Sequence, residues 1–474
     1  MAQRIDTDIC VIGAGSGGLS VAAGAAQMGA PTVLVERGKM GGDCLNYGCV
    51  PSKAMIAAAR AAHTVRTGER FGVNGHEPAI DFGRVHAHVH GEIGAIAQHD
   101  SVARFEGLGV KVVQAEARFT GPRSSQAGDT EIRARRFVVA TGSRAAIPPI
   151  PGLDSVPFLT NETIFDNRVQ PEHLIVIGGG PIGLEMAQAH RRLGSRVTVL
   201  EKFSIMPKDD PELVAKVRDS VLADGVDLRE GADISRVEKS GNGIVVVLTT
   251  EAGEKRVEAS DLLVAAGRRV NVEGLDLDKA GIEFSPRGIA VDARLRTSNR
   301  RVYAIGDVAG GYQFTHVAGY HAGIFIRNAL FRMPAKVDTR ALPWVTFTEP
   351  ELAQVGLTET QARERHGDIR VLRWNFAEND RAQAERETEG MVKVVTTPRG
   401  RILGAGIVGP HAGELIHVWV LAIGKGLKIG AIANMIAPYP TLGEVNKRAA
   451  GSFYTASLFS DRTRKVVRFL SKFG

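Results

Sequence analysis

One local pattern occurs twice in this chain and narrows its folding to a single class. In the first copy an apolar strand, DICVIG, meets Gly13, Gly15 and Gly18; a small-residue helix, SVAAGAAQMG, follows, and Glu36 closes the next strand, PTVLVE. In the second copy LIVIG meets Gly178, Gly180 and Gly183, LEMAQAHRRLG follows, and Glu201 closes RVTVLE. Glycines at that spacing allow a tight turn and let a pyrophosphate approach a helix N-terminus, and an acid about 20 residues on can bind a ribose hydroxyl pair. The expected fold class is therefore α/β, with two Rossmann-like dinucleotide-binding domains. At 474 residues the chain is too long for one ordinary core, and three domains are expected.

Between the two copies lies GGDCLNYGCVPSK, Gly41 to Lys53, which sets Cys44 and Cys49 apart by four intervening residues. With only three cysteines in the chain a structural disulfide framework is not expected, and two thiols beside Gly-rich turns point to a redox-active disulfide facing a flavin. Cys10, in the first strand, reads as core packing. Pro51 suits a first helical turn and KAMIAAARAAHTV is Ala-rich, so Cys49 falls at or next to a helix N-terminus. A thiolate there is stabilised by the helix dipole and unpaired amides, and Lys53 adds a cation. The cysteine segment follows the first glycine pattern directly, so that site is assigned to FAD and the second to the nicotinamide dinucleotide that reduces it. The Glu201 carboxylate receives the 2′-hydroxyl of NADH and repels the 2′-phosphate of NADPH, although Lys202 and Lys208 are near enough to blunt that repulsion. NADH is the expected donor and NADPH the alternative.

Composition excludes other classes. Hydrophobic content of 44% with 55 glycines fits a glycine-turned α/β enzyme. The chain enters its first strand without an apolar leader, and its most apolar later stretch, LIHVWVLAIGKGLKIGAIANMIA, is broken by His417, Lys425 and Lys428, so a cytoplasmic protein is expected. The net charge of +7 is scattered without aromatic interleaving, which argues for anionic dinucleotides rather than nucleic acid. Only the tail, DRTRKVVRFLSKFG, concentrates charge: Arg462, Arg464, Lys465, Arg468 and Lys472 interleave with Val466, Val467, Phe469, Leu470 and Phe473. A helix packed on its own domain is the expectation, and a helix lying on a membrane surface or a partner the alternative. His86, His88 and His90 read as a solvated helix face rather than a metal site.

Together these residues resemble the flavoprotein disulfide reductases, the family of dihydrolipoamide dehydrogenase, glutathione reductase and mercuric reductase. VVATGS (Val138 to Ser143), VAAGRRVN (Val264 to Asn271), VYAIGDVAGG (Val302 to Gly311) and TFTEPELAQVGLTE (Thr346 to Glu359) match in order, the last opening a dimer-interface domain. The resemblance implies that Cys44 is the interchange thiol and Cys49 the thiolate against the flavin. It implies that Lys53 and Glu185 pair beside the flavin's reactive nitrogen, that Asp307 lies on the ribityl chain and that His316 lies near the pyrimidine end. Gly42, Thr141, Gly142 and Ser143 fall to the FAD site, and Gly267 to the nicotinamide site.

One position departs from the lipoamide and glutathione enzymes. Where they carry His-Pro-Thr and then a glutamate, this chain has Tyr439, Pro440, Thr441 and Glu444. A phenol of pKa near ~10 does not readily take a proton from a dithiol at neutral pH, and loss of such a base typically costs ~10²- to 10⁴-fold. A tyrosine there is similar to mercuric reductase, whose substrate is a soft metal ion; yet no cysteine follows Cys49 to match that enzyme's C-terminal pair, and no N-terminal metal-carrier domain is expected.

The expected organisation is an FAD domain over 1–150 and 271–340, a nicotinamide domain over 151–270 and a dimerisation domain over 341–474. The resemblance implies a homodimer in which Tyr439 and Glu444 reach the partner subunit's Cys44. Electrons are expected to pass from NADH through FAD to the Cys44–Cys49 disulfide and then to a soft metal ion or small disulfide. The alternatives are a dihydrolipoamide dehydrogenase and a flavin diaphorase serving quinones at a membrane.

Overall fold

The computed structural model describes residues 3–241 and 243–473. By internal contacts the chain divides into two compact units: Met1–Gly179, Ala189–Lys202 and Gly231–Val337 form one, and Gly180–Gln188, Phe203–Glu230 and Asp338–Gly474 the other.

The first unit opens with β1 (Gln3–Ile12), α1 (Ser16–Gln27) and β2 (Thr32–Glu36), then α2 (Gly42–Asn46), α3 (Cys49–Arg66) and α4 (Phe82–Ala97). β3 (Val110–Gln114) joins β2 in parallel, giving the order β3-β2-β1. The hairpin strands β4 (Ala117–Gly121), β5 (Ser124–Ala127) and β6 (Thr130–Val139) complete the sheet, with β6 parallel to β1. Alternate residues of β1 enter opposite cores, Cys10 and Ile12 with Val33, Phe119 and Phe137, and Ile9 and Val11 with Leu34 and helix α1. Both faces are thus covered, which is why the end of β1 reads as a continuous apolar run rather than an alternation. Each fully buried aliphatic side chain of this kind contributes roughly 1.5–3 kcal/mol. Cys10 is buried as the sequence implied, and desolvation pushes its thiol up to about 12, which leaves it inert.

A second parallel sheet repeats the arrangement. β7 (His173–Ile177) runs into α5 (Pro181–Arg192), and β8 (Arg196–Leu200) pairs with β7. The antiparallel β9 (Asp233–Ser240), β10 (Gly243–Thr250) and β11 (Gly253–Ala259) follow, and β12 (Asp261–Val264) returns to the other side of β7. The chain then re-enters the first sheet through β13 (Val302–Ala304) on β6, and α6 (Thr315–Ala329) packs against α1.

The second unit holds a five-stranded antiparallel sheet of β14 (Pro343–Thr346), β15 (Glu351–Gly356), β16 (Arg370–Asn375), β17 (Met391–Thr396) and β18 (Ile402–Gly409), in the order β14-β15-β18-β17-β16. Trp419 is wholly buried beneath it, and its indole N–H donates to Asn446 Oδ1 at 2.7 Å. Asn446 belongs to α7 (Glu444–Leu458), after which α8 (Asp461–Leu470) carries the basic tail. The expectation that this last helix packs on its own domain is not met: no residue of α8 is buried.

Candidate active site

The two glycine loops are built alike. Gly13 (φ +105°) and Gly178 (φ +114°) take backbone angles that L side chains rarely adopt, and a Cβ at either would stand 2.5 Å from a carbonyl oxygen, of Ala140 and Ala265 respectively. The first glycine of each loop is therefore pressed onto the end of a neighbouring strand. By contrast a Cβ at Gly180 would meet nothing within 4 Å, and one at Gly15 only Gly42 Cα at 4.0 Å. The acids match as well: Glu36 Oε2 accepts the Ala14 N–H and Glu201 Oε2 the Gly179 N–H, each at 2.6 Å. Gly15 is the N-cap of helix α1 and supplies no side-chain cap, which leaves first-turn amides for an anion. These features fit FAD: the amides after Gly13 would hold its pyrophosphate, and Glu36 its ribose.

The cysteine segment is docked on that loop. Gly41 N–H donates to the Ala14 carbonyl at 2.9 Å, and a Cβ at Gly42 would lie 2.7 Å from Gly15 Cα. Cys49 is the first residue of α3, Pro51 falls in its first turn, and both Cys44 and Cys49 are free thiols, the first half-buried and the second at the surface. Their titration is asymmetric. The hydrogen bond from Cys44 lowers the Cys49 thiol to about 6, helped by the Thr315 hydroxyl and the Lys53 charge against burial and Asp43. The same hydrogen bond, then burial and the charge on Cys49, holds Cys44 well above the ordinary thiol range. At pH 7 the reduced pair therefore keeps one proton, on Cys44, with a thiolate at Cys49. Lys53 also donates to Ser52 Oγ at 3.2 Å.

A polar chain ties this segment to the other motifs. Arg268 pairs with Asp43 at 3.0 Å and donates to Ser143 Oγ at 2.8 Å, and Ser143 in turn donates to Asp307 Oδ2 at 2.6 Å. Burial raises the Asp307 carboxyl above its ordinary value, against the Ser143 hydrogen bond and the Arg268 charge. Thr141 Oγ1 donates to the Asn271 carbonyl at 2.7 Å, Asn271 N–H returns a bond to Gly142, and Ala146 N–H donates to Gly267. His316, exposed in the first turn of α6, stacks on Phe314 with centroids 5.2 Å apart. Sequence reasoning missed Asp43, Arg268, Asn161 and Thr315. Asp43 and Arg268 fall inside quoted motifs and Thr315 next to His316, but the partners lie far off in the chain: Thr315 reaches Cys49 across 266 positions at 3.4 Å, and Asn161, outside every quoted motif, reaches Asp43 at 3.0 Å.

Within the second unit, buried Glu185 accepts the Phe347 N–H at 2.9 Å. Tyr439 is 70% exposed and its O–H donates to Asp380 Oδ2 at 3.0 Å; that bond and the Asp380 charge raise the phenol above its ordinary value. Glu444 opens α7, and Gly183 lies in α5. The histidines at 86, 88 and 90 all sit on α4. His86 stacks on His90, His90 meets the Phe165 carbonyl at 3.0 Å, and His88 lies 3.8 Å from Glu92. Among the described residues no group of three or more His, Cys, Asp or Glu is arranged to hold a metal ion.

Residues 7–322 match the model of the pyridine nucleotide-disulphide oxidoreductases, and residues 342–450 that of the same family's dimerisation domain. The chain belongs to this family. Its members are FAD-dependent oxidoreductases that draw electrons from NAD(P)H. The chain is 37% identical to the mercuric reductase of Streptomyces lividans over 455 residues, covering 94% of this chain and 96% of the relative. It is 36% identical to the dihydrolipoyl dehydrogenase of Thermus scotoductus over 467 residues, covering 95% and 98%. Among solved structures it resembles the Cu(II) complex of the HOCl-induced flavoprotein disulfide reductase RclA from Escherichia coli, with a TM-score of 0.84 and 27% identity over 93% of this chain and 99% of that one. So even a split does not assign the oxidoreductase its acceptor. No helix among the described residues is long and apolar enough to cross a membrane.

Proposed function

We propose that this oxidoreductase is a homodimeric, NADH-dependent reductase whose Cys44–Cys49 disulfide hands electrons to a soft metal ion or a small disulfide, in the manner of a mercuric reductase. In this reading FAD occupies residues 1–150 and 271–340, the nicotinamide dinucleotide 151–270, and dimerisation falls to 341–474. The observation that carries it is Tyr439. Its O–H donates a hydrogen bond to Asp380 and titrates above its ordinary value, so it is a donor and not a base.

The thiol pair explains why that matters. FAD, when bound, supplies the two-electron relay between the nicotinamide and the disulfide. The Cys44–Cys49 bond takes two electrons and one proton, leaving the thiol on Cys44 and the thiolate on Cys49. The Cys49 thiolate is held by the Thr315 hydroxyl and the Lys53 charge. Lys53 and Glu185 are proposed as the ion pair beside the flavin, Asp307 and His316 as its ribityl and pyrimidine contacts, and Tyr439 and Glu444 as the groups that meet the partner subunit's Cys44. To attack a disulfide substrate Cys44 must first lose a proton it holds tightly, and no histidine stands at the family's base position. A soft metal ion needs no such base, because coordination itself displaces a thiol proton. The acceptor then takes two electrons as the disulfide re-forms.

The dihydrolipoyl dehydrogenase reading keeps one observation in its favour, 36% identity along nearly the whole length of such an enzyme. Anaerobic NADH consumption with thiol-buffered Hg(II) and, in parallel, with lipoamide separates the two, with Cys44→Ser as control. Turnover driven by Hg(II) and lost in Cys44→Ser supports the soft-metal acceptor; lipoamide turnover of equal or greater efficiency gives the chain to the dihydrolipoyl dehydrogenase reading, and turnover that survives Cys44→Ser overturns the proposal.

A further inference from the structure

Helix α8 lies past residue 450, where the dimerisation-domain match ends, and the proposed redox chemistry does not use it. We infer that α8 docks on the surface of a bilayer that carries anionic phospholipids.

The helix is built to hold its shape. Ser460 is its N-cap and accepts the Thr463 N–H, while Thr463 Oγ1 donates to the Ser457 carbonyl at 2.7 Å, so the turn out of α7 is pinned by two hydroxyls. At 3.6 residues per turn, Val466, Val467, Phe469, Leu470 and Phe473 gather on one side of α8 and its continuation. Arg464, Lys465, Arg468 and Lys472 lie on the other, while Arg462, in the first turn, falls on the apolar side. The apolar side is not covered by its own chain: those five residues are between 49% and 75% exposed. Such a face, about 15 Å long with basic residues along its back, has the composition of a helix that lies in the membrane interface and does not span it.

Charge decides the occupant. Asp461 is the only acid on α8, and its contact with Arg464 is a long one, 3.5 Å between exposed groups. Arg462, Arg464, Lys465, Arg468 and Lys472 concentrate positive charge in this tail, which anionic headgroups complement. Docking there would hold the reductase at the bilayer surface, within reach of acceptors dissolved in or bound to it.

The test is flotation of the full-length holoenzyme with vesicles of phosphatidylcholine alone or mixed in equal parts with phosphatidylglycerol. The protein is expected to float with the mixed vesicles, to stay behind with the neutral ones and to be released by salt. Arg464→Ala with Arg468→Ala should weaken binding about 30-fold, roughly fivefold per charge removed. Phe469→Glu should abolish it, and NADH-dependent dye reduction should be unchanged in every variant. Equal binding to both vesicle types, or none to either, overturns the inference. So does an assembly larger than the dimer that appears with concentration in sedimentation velocity and is lost in Phe469→Glu, which would give the face to a second copy.

Discussion

Replacing Thr315 with Val removes a single hydroxyl 3.4 Å from Cys49 Sγ and leaves the helix around it intact. A hydrogen bond to a charged group contributes roughly 1.5–3 kcal/mol, and one pKa unit corresponds to about 1.36 kcal/mol. At the lower end of that range the shift is about one unit. The Cys49 thiol, at about 6 in the parent, should then titrate near ~7, and its thiolate fraction at pH 7 should fall from about 90% to about 50%. The assay is the pH dependence of Cys49 alkylation by iodoacetamide in the reduced parent and in Thr315→Val, followed by mass spectrometry with fragment ions that separate Cys49 from Cys44. Buried Cys10 does not interfere. An unchanged midpoint would refute the claim that the first turn of α6 holds the thiolate. Because the folded value lies below the unfolded thiol value of about 8.5, the dithiol protein should also gain stability as pH rises from about 6 to 8.5 and lose it on the way down. Thr315→Val should shrink that gain.

Other outcomes follow from the same geometry. Gly13→Ala should destabilise the fold by about 1–3 kcal/mol in thermal unfolding, since its Cβ would stand 2.5 Å from the Ala140 carbonyl oxygen. Gly15→Ala, which has room, should keep the melting temperature of the apoprotein and instead lose bound FAD on gel filtration, read from the flavin absorbance. Glu201→Ala should shift the NADH to NADPH ratio of kcat/KM toward NADPH by roughly tenfold, as the repelling carboxylate is gone. Tyr439→His should raise kcat/KM for NADH-driven reduction of lipoamide by at least about 10²-fold, because it supplies a base at neutral pH; no gain would mean that deprotonation of Cys44 is not what limits disulfide substrates.

Much of this was legible in the residues because it is local. Strand, glycine turn, helix and acid are contiguous in the chain, so both loops could be placed from their spacing, and Cys49 could be set at a helix start from Pro51 and the alanines after it. The partners were not legible. Thr315, Arg268 and Asp43 gain meaning only when segments more than a hundred residues apart are brought together. The same holds for Lys393, 5% exposed between Asp210, Glu212 and Glu359, which a sequence presents as one more scattered cation. The tail shows the opposite failure. Its amphipathic period was plain, but periodicity states which face is apolar and not what covers it.

The central claim is that electrons from NADH reach the Cys44–Cys49 bond. Stoichiometric NADH added anaerobically to the oxidised dimer, followed by quenching with an alkylating agent, measures this directly. Two newly modified cysteines per chain, Cys44 and Cys49, are predicted, and none after omission of NADH. Flavin bleaching with both cysteines still unmodified would contradict it.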